Sequence, residues 1–160
     1  MEPLVVLREA EPDEAELLAS LSQRSFDSDI EIGAPGPGGP PGYDDPAWQR
    51  RMMQAGDYYC LLVEGAPVGG AIVFAKGGGA CELARLFVEP SRCRRGIGTA
   101  AVRLLMERYP QATRWILDTP AWNPRTRGFY ERLGFTAYGS VTLDDGLELA
   151  LYEKSCDRLF

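Results

Sequence analysis

Histidine is missing from the chain altogether. Its absence removes every Ser/His or Cys/His pair that could activate a nucleophile. It also takes away the commonest nitrogen ligand of zinc. The four cysteines (Cys60, Cys81, Cys93 and Cys156) form no CxxC pair. No metal is therefore expected, and the thiols read as free, in a reduced, cytoplasmic protein. No apolar run approaches the roughly 20 residues of a transmembrane helix. The first stretch, MEPLVVLREAEPDEAE, shows no basic region followed by a long apolar run, so no signal peptide is expected. Basic charge is in deficit: 17 Lys and Arg stand against 23 Asp and Glu, a net charge of −6. That excludes a general nucleic-acid binder, which needs a basic face, and leans toward a cationic substrate. No membrane partner is expected either.

What is present suits one domain over residues 1–160. The length allows a sizeable core, and 45% apolar with 25% charged residues is an ordinary globular balance. Leu4–Leu7 reads as a first strand. Asp13 with Glu16 fits a capping pattern, and Leu17, Leu18 and Leu21 mark a helix over about Asp13–Gln23. In Gly33–Pro46, ten of fourteen residues are Gly or Pro, and no regular element survives that. The stretch is either a flexible surface loop or a lid or wall beside a substrate. Asp44 or Asp45 then caps a helix reaching about Gln54, with Pro46 in its first turn.

From Asp57 the period changes. Tyr58–Glu64, Val68–Phe74 and Ala80–Val88 read as strands of an antiparallel meander joined by short turns. Strict alternation in the third run puts Glu82, Ala84, Leu86 and Val88 on one face, and Cys81, Leu83, Arg85 and Phe87 on the other. Glu82 would then share its face with apolar neighbours, with a raised pKa or an arginine partner.

The stretch RCRRGIGTA (Arg92–Ala100) follows, and it leads into a helix marked by Ile97, Ala101, Leu104 and Leu105 and ending near Tyr109-Pro110. A strand, a basic glycine turn and a helix start together suit an anion, because the backbone can approach closely and the first helical N–H groups point outward. Thr113–Thr119 is the next strand, and strand-helix-strand implies a parallel pair. Asn123-Pro124 starts a helix to about Leu133, stopped at Gly134. Phe135–Leu143 and Leu147–Lys154 form a last hairpin around Asp144-Asp145-Gly146.

Gly96-Ile97-Gly98-Thr99-Ala100-Ala101, with Asp118 twenty residues after Gly98, mimics a dinucleotide-binding fingerprint. Context argues against it. EPSRCRR separates the glycines from the strand, a meander precedes them, and two mononucleotide halves do not fit. No GK[ST] occurs, which removes a triphosphatase phosphate loop.

Taken together, the order β-α-α-β-β-β-α-β-α-β-β and the R-R-G-x-G after the fourth strand resemble the GNAT superfamily of N-acetyltransferases. NPRTRGFYERLGF (Asn123–Phe135) is similar to that family's N-x-x-A-x-x-F-Y-x-x-x-G-F helix. The resemblance covers nearly the whole chain. It implies an α/β fold with a mixed, mostly antiparallel sheet of about seven strands. Helices would cover both faces, and one parallel pair would splay at the cofactor site. It implies direct acetyl transfer from acetyl-coenzyme A to a primary amine, small-molecule or peptide. By the same resemblance Arg94, Arg95, Gly96, Ile97, Gly98 and Thr99 would hold the pyrophosphate. Leu86, Phe87 and Val88 would offer backbone groups to the thioester and pantetheine, Asn123 would touch the pantetheine, and Tyr130 would protonate the leaving thiolate. A departing thiolate needs a proton or a dipole, and a phenol supplies one.

Two positions depart from the pattern. Cys93 stands where Gln or Arg is usual, and Thr126 where alanine is common. Cys93 among arginines also leaves open an acyl-cysteine route. The amine needs a base, and Glu82 is the first candidate, Asp118 the second. Each has a structural alternative, Glu82 in an ion pair and Asp118 in capping the turn into Pro120. Asp27, Asp29, Glu31, Tyr43 and Trp48 are placed on the acceptor side by position. The rival function is a non-catalytic acyl-coenzyme A sensor or interaction domain, as monomer or homodimer.

Overall fold

A computed structural model describes residues 4–34, 38–92 and 96–156. Its elements are β1 (Val5–Glu9), α1 (Ala15–Asp27), α2 (Pro46–Ala55), β2 (Asp57–Val63), β3 (Ala66–Gly77) and β4 (Ala80–Val88), then α3 (Ile97–Arg108), β5 (Arg114–Pro120), α4 (Pro124–Arg132), β6 (Thr136–Thr142) and β7 (Glu148–Ser155). One mixed sheet carries all seven strands in the order β1-β2-β3-β4-β5-β7-β6. β4 and β5 run parallel, and the other neighbouring pairs are antiparallel. The expected element order and fold class hold.

Local chemistry sets the helix starts. Asp45 caps α2 by accepting from the Ala47 N–H at 2.9 Å, with Pro46 in the first turn. The start of α1 differs from the Asp13 cap expected. Pro12–Glu14 form a 3₁₀ turn, and Glu14 does the work. Its carboxylate accepts from the Glu11 N–H at 2.9 Å and from both terminal nitrogens of Arg8 at 2.9 and 2.6 Å. The Arg8 hydrogen bonds hold Glu14 below the usual carboxylate range.

Two cores flank the sheet. On one face α3 and α4 cover the larger core, which includes Val73, Leu83, Ala101, Leu105, Trp115, Leu117, Tyr130 and Tyr152. On the other, α1 and α2 cover Leu18, Leu21, Tyr58, Cys60, Ile72 and Phe87. Each large apolar side chain so buried contributes roughly 1.5–3 kcal/mol. Among the described residues no helix is long and apolar enough to cross a membrane.

Strict alternation fails in β4, and a bulge is the reason. Ile72 pairs with Arg85, but the next residue, Val73, pairs with Leu83. Ala84 is therefore extra, and the pleat changes phase across it. Glu82 lies opposite Phe74, Arg85 opposite Ile72 and Phe87 opposite Gly70, all on the α1/α2 face. Cys81, Leu83, Leu86 and Val88 belong to the α3/α4 face. Glu82 thus does not share its face with Leu86 and Val88, and Arg85 moves to its side.

Candidate active site

The bulge sits where β4 and β5 part. Their ladder has three pairs, Ala80 with Arg114, Cys81 with Trp115 and Glu82 with Ile116, and then stops. Beyond it the two strands are no longer paired, which leaves a gap in the sheet.

On the α3/α4 side stands the start of α3. Gly96 takes φ 79°, a left-handed turn that favours glycine, and its carbonyl accepts the first helical bond, from Ala100. The N–H groups of Ile97, Gly98 and Thr99 precede that bond and carry the positive end of the helix dipole. Gly98 has a packing job that spacing did not reveal. A Cβ there would meet the Phe129 ring at 3.1 Å, so this glycine lets α3 and α4 close together. Arg94 and Arg95, expected at the pyrophosphate, and Cys93 lie outside the described residues.

Tyr130 on α4 is buried between Phe129 and Phe135, whose ring centroids lie 4.9 and 5.6 Å away. Its hydroxyl has no hydrogen-bond partner among the described residues. Burial, then the Asp118 charge, pushes its pKa up, so the phenol keeps its proton. Asn123 is 1% exposed and heavily committed. Its side-chain oxygen caps α4 by accepting from Arg125 and Thr126 N–H groups at 3.0 and 3.2 Å, and its Nδ2 reaches Asp29 at 3.4 Å. Leu86 and Phe87 put their side chains on opposite faces, with their backbone in the diverging part of β4, as is that of Val88.

The α1/α2 side collects charge. Glu82 forms an ion pair with Lys76 at 3.1 Å, a lysine and not the arginine expected. Asp118, opposite Leu151 on β5, shares its face. Its pKa is raised first by burial and then by Glu82, against the pull of Arg85. Asp29 is also raised by burial, partly offset by Arg125 4.0 Å away. Tyr43 donates to Asp27 at 2.9 Å and Trp48 lies beneath Arg85, whereas Glu31 is exposed. The described part of the Gly/Pro stretch is tied down at three points. Tyr43 holds it to α1, Gln49 Nε2 donates to the Gly42 carbonyl at 3.0 Å, and Arg85 Nη2 donates to Pro41 at 3.0 Å.

Sequence reasoning missed Arg85 and Arg125. Arg85 was legible only as a lone cation inside an apolar strand, and the bulge hid which way it faces. Among the described residues no cluster of three or more His, Cys, Asp or Glu could hold a metal.

An open mixed sheet, parted at its parallel pair and flanked there by a glycine-led helix and a buried tyrosine, is the arrangement that the resemblance to the GNAT superfamily implies. A family model described as "Acetyltransferase (GNAT) family" matches residues 22–135, and the chain belongs to that family. No curated protein matches its sequence. Solved structures match its fold over almost their whole length. PaiA N-acetyltransferase from Thermoplasma acidophilum, solved in complex with coenzyme A, is 13% identical with a TM-score of 0.76, over 96% of this chain and 99% of that one. An acetyltransferase from Thermus thermophilus is 20% identical, with TM-score 0.75 over 98% and 100%. The ribosomal-protein-S18-alanine N-acetyltransferase of Escherichia coli is 16% identical, with TM-score 0.71 over 98% and 99%.

Proposed function

We propose that the chain, as one domain, transfers an acetyl group directly from acetyl-coenzyme A to a primary amine. One observation carries the reading. The ladder between β4 and β5 ends after three pairs, with a protonated tyrosine beside the gap on one face and two carboxylates beside it on the other.

Acetyl-coenzyme A supplies the activated acyl group as a substrate. The first turn of α3, with Gly96 and Gly98, holds its phosphates through backbone N–H groups. The diverging backbone of β4 at Leu86, Phe87 and Val88 orients the thioester. Glu82 or Asp118 takes a proton from the ammonium, directly or through water, and frees the nitrogen lone pair. The new C–N bond forms as the C–S bond breaks. Tyr130 gives its proton to the departing sulfur, the acylated nitrogen loses its second proton and so restores the phenol, and the proton held by the carboxylate passes to solvent. The raised pKa of Asp118 brings it nearer the operating pH, which suits a base. Asn123 acts by holding α4, and so Tyr130, in place. Cys60, Cys81 and Cys156 are free thiols, in keeping with a reducing, cytoplasmic setting.

Tyr130→Phe tests the assignment. Thiol release should fall about 10²- to 10⁴-fold with acetyl-coenzyme A affinity nearly unchanged. An unchanged rate removes Tyr130 from the chemistry. Calorimetric binding of acetyl-coenzyme A with no thiol release across a broad amine panel would point to the sensor instead.

A further inference from the structure

Arg85 is a cation that the fold half buries without completing its hydrogen bonds. Its guanidinium stacks over the Trp48 ring, 4.5 Å from the centroid, and Nη2 donates to the Pro41 carbonyl at 3.0 Å. Nη1 is buried with no hydrogen-bond partner among the described residues. Asp118 and Arg85 attract each other, yet no hydrogen bond or ion pair joins them among those residues. A buried, unmade N–H on a charged group is costly, and such a group persists where something else completes it.

We propose that Arg85 takes a carboxylate carried by the acceptor, so that the amine substrate is an amino acid or a similar amine with a carboxylate a few bonds away. This rests on the acetyltransferase reading. The charge pattern selects the occupant. Arg85 stands on the same face as Glu82 and Asp118, at the point where β4 leaves β5. An ammonium group is drawn to Asp118, and to Glu82 beside its Lys76 partner, and a carboxylate to the unpaired Nη1 edge, so a zwitterion matches both. A diamine would set its second cation against Arg85. A doubly charged phosphate would meet Glu82 and Asp118 with one free N–H edge to hold it. Trp48 and Pro41 fix the guanidinium plane beforehand, so little side-chain freedom remains to be lost on binding.

The test uses thiol release from acetyl-coenzyme A with matched acceptors, each an amino acid and its own carboxamide. In the unmodified protein the acid should exceed the amide in kcat/KM by about 10- to 100-fold, the worth of a charge-assisted hydrogen bond. Arg85→Gln should bring that ratio close to one, mainly through KM, and Arg85→Lys should leave it between the two. A ratio near one in the unmodified protein overturns the proposal, and that comparison needs no variant to fold. A ratio preserved in Arg85→Gln, with acid and amide falling together, also overturns it and leaves Arg85 as an anchor for the loop. In both cases the acetyltransferase reading stands, since thiol is still released. No release from any amine would end both.

Discussion

The α3/α4 face and the α1/α2 face of the sheet differ in what they bury. Toward α3 and α4, Leu83, Leu105, Trp115, Leu117 and Tyr152 close over one another in an apolar core. Toward α1 and α2 the core is smaller, and beside it stand Glu82, Arg85 and Asp118, with Asp29 and Arg125 nearby. The first arrangement holds a fold together and positions a helix start. The second gathers charge at a partly exposed surface, with Asp118 exposed and Glu82 and Arg85 half-buried, and on the proposed reading that surface discriminates among ligands. On the proposed reading the contrast is a division of labour: one face answers chiefly for stability, the other for selectivity.

The strongest blow to that division is Trp115→Ala. Trp115 is 1% exposed and packs edge-on against Tyr109 at 5.6 Å. Its removal should cost about 3–5 kcal/mol in denaturant unfolding. A loss under about 1 kcal/mol would mean that the core on this face is not what holds the sheet. Gly96→Ala comes next. At φ 79° a side chain is strained, so about 1–2 kcal/mol should be lost and calorimetry should show weaker acetyl-coenzyme A binding. Equal binding in that variant would detach the glycine turn from the cofactor.

Asp118→Asn should give the smallest effect, with the opposite sign. Burial and Glu82 raise the folded pKa of Asp118 above its unfolded value near 3.9. The folded state therefore binds this proton more tightly, and stability falls as pH rises through the folded pKa. Removing the charge should raise Tm by about 1–3 °C at pH 7, a modest gain because the group is partly open to solvent. Below about pH 4 the gain should vanish, since the proton is then bound in both states. A lower Tm at pH 7 would show that Asp118 is stabilised by its neighbours instead of strained by them.

Much of this was legible in the chain. Gly-Pro punctuation, the caps at Asp45 and Asn123 and the change of period at Asp57 depend on neighbours a few residues apart, so they survive without knowledge of the fold. The glycine turn was legible for the same reason, whereas Tyr130 was singled out only by the family resemblance. The acceptor side was not. Arg85 faces Asp118 because one extra residue, Ala84, rephases β4, and nothing in the local sequence marks the bulge. The packing role of Gly98, making room for Phe129, depends on two helices thirty residues apart meeting in space. The cap expected from Asp13 does not form: a 3₁₀ turn over Pro12–Glu14 leads into α1, and Glu14 turns its carboxylate to Arg8, on the preceding strand, and to the Glu11 N–H.

The short β4–β5 ladder carries one more implication. From Leu83 onward β4 is hydrogen-bonded within the sheet through β3 alone, so the centre of the protein contains an unfinished seam. A molecule that closes this seam stitches the two halves of the sheet to each other and is a folding ligand as well as a substrate. By mass action, a ligand at a hundred times its Kd would add about 2.7 kcal/mol to the stability of the whole chain. Occupancy and rigidity are then one thermodynamic quantity, and the same chain would be loosest when empty and tightest when it is about to react.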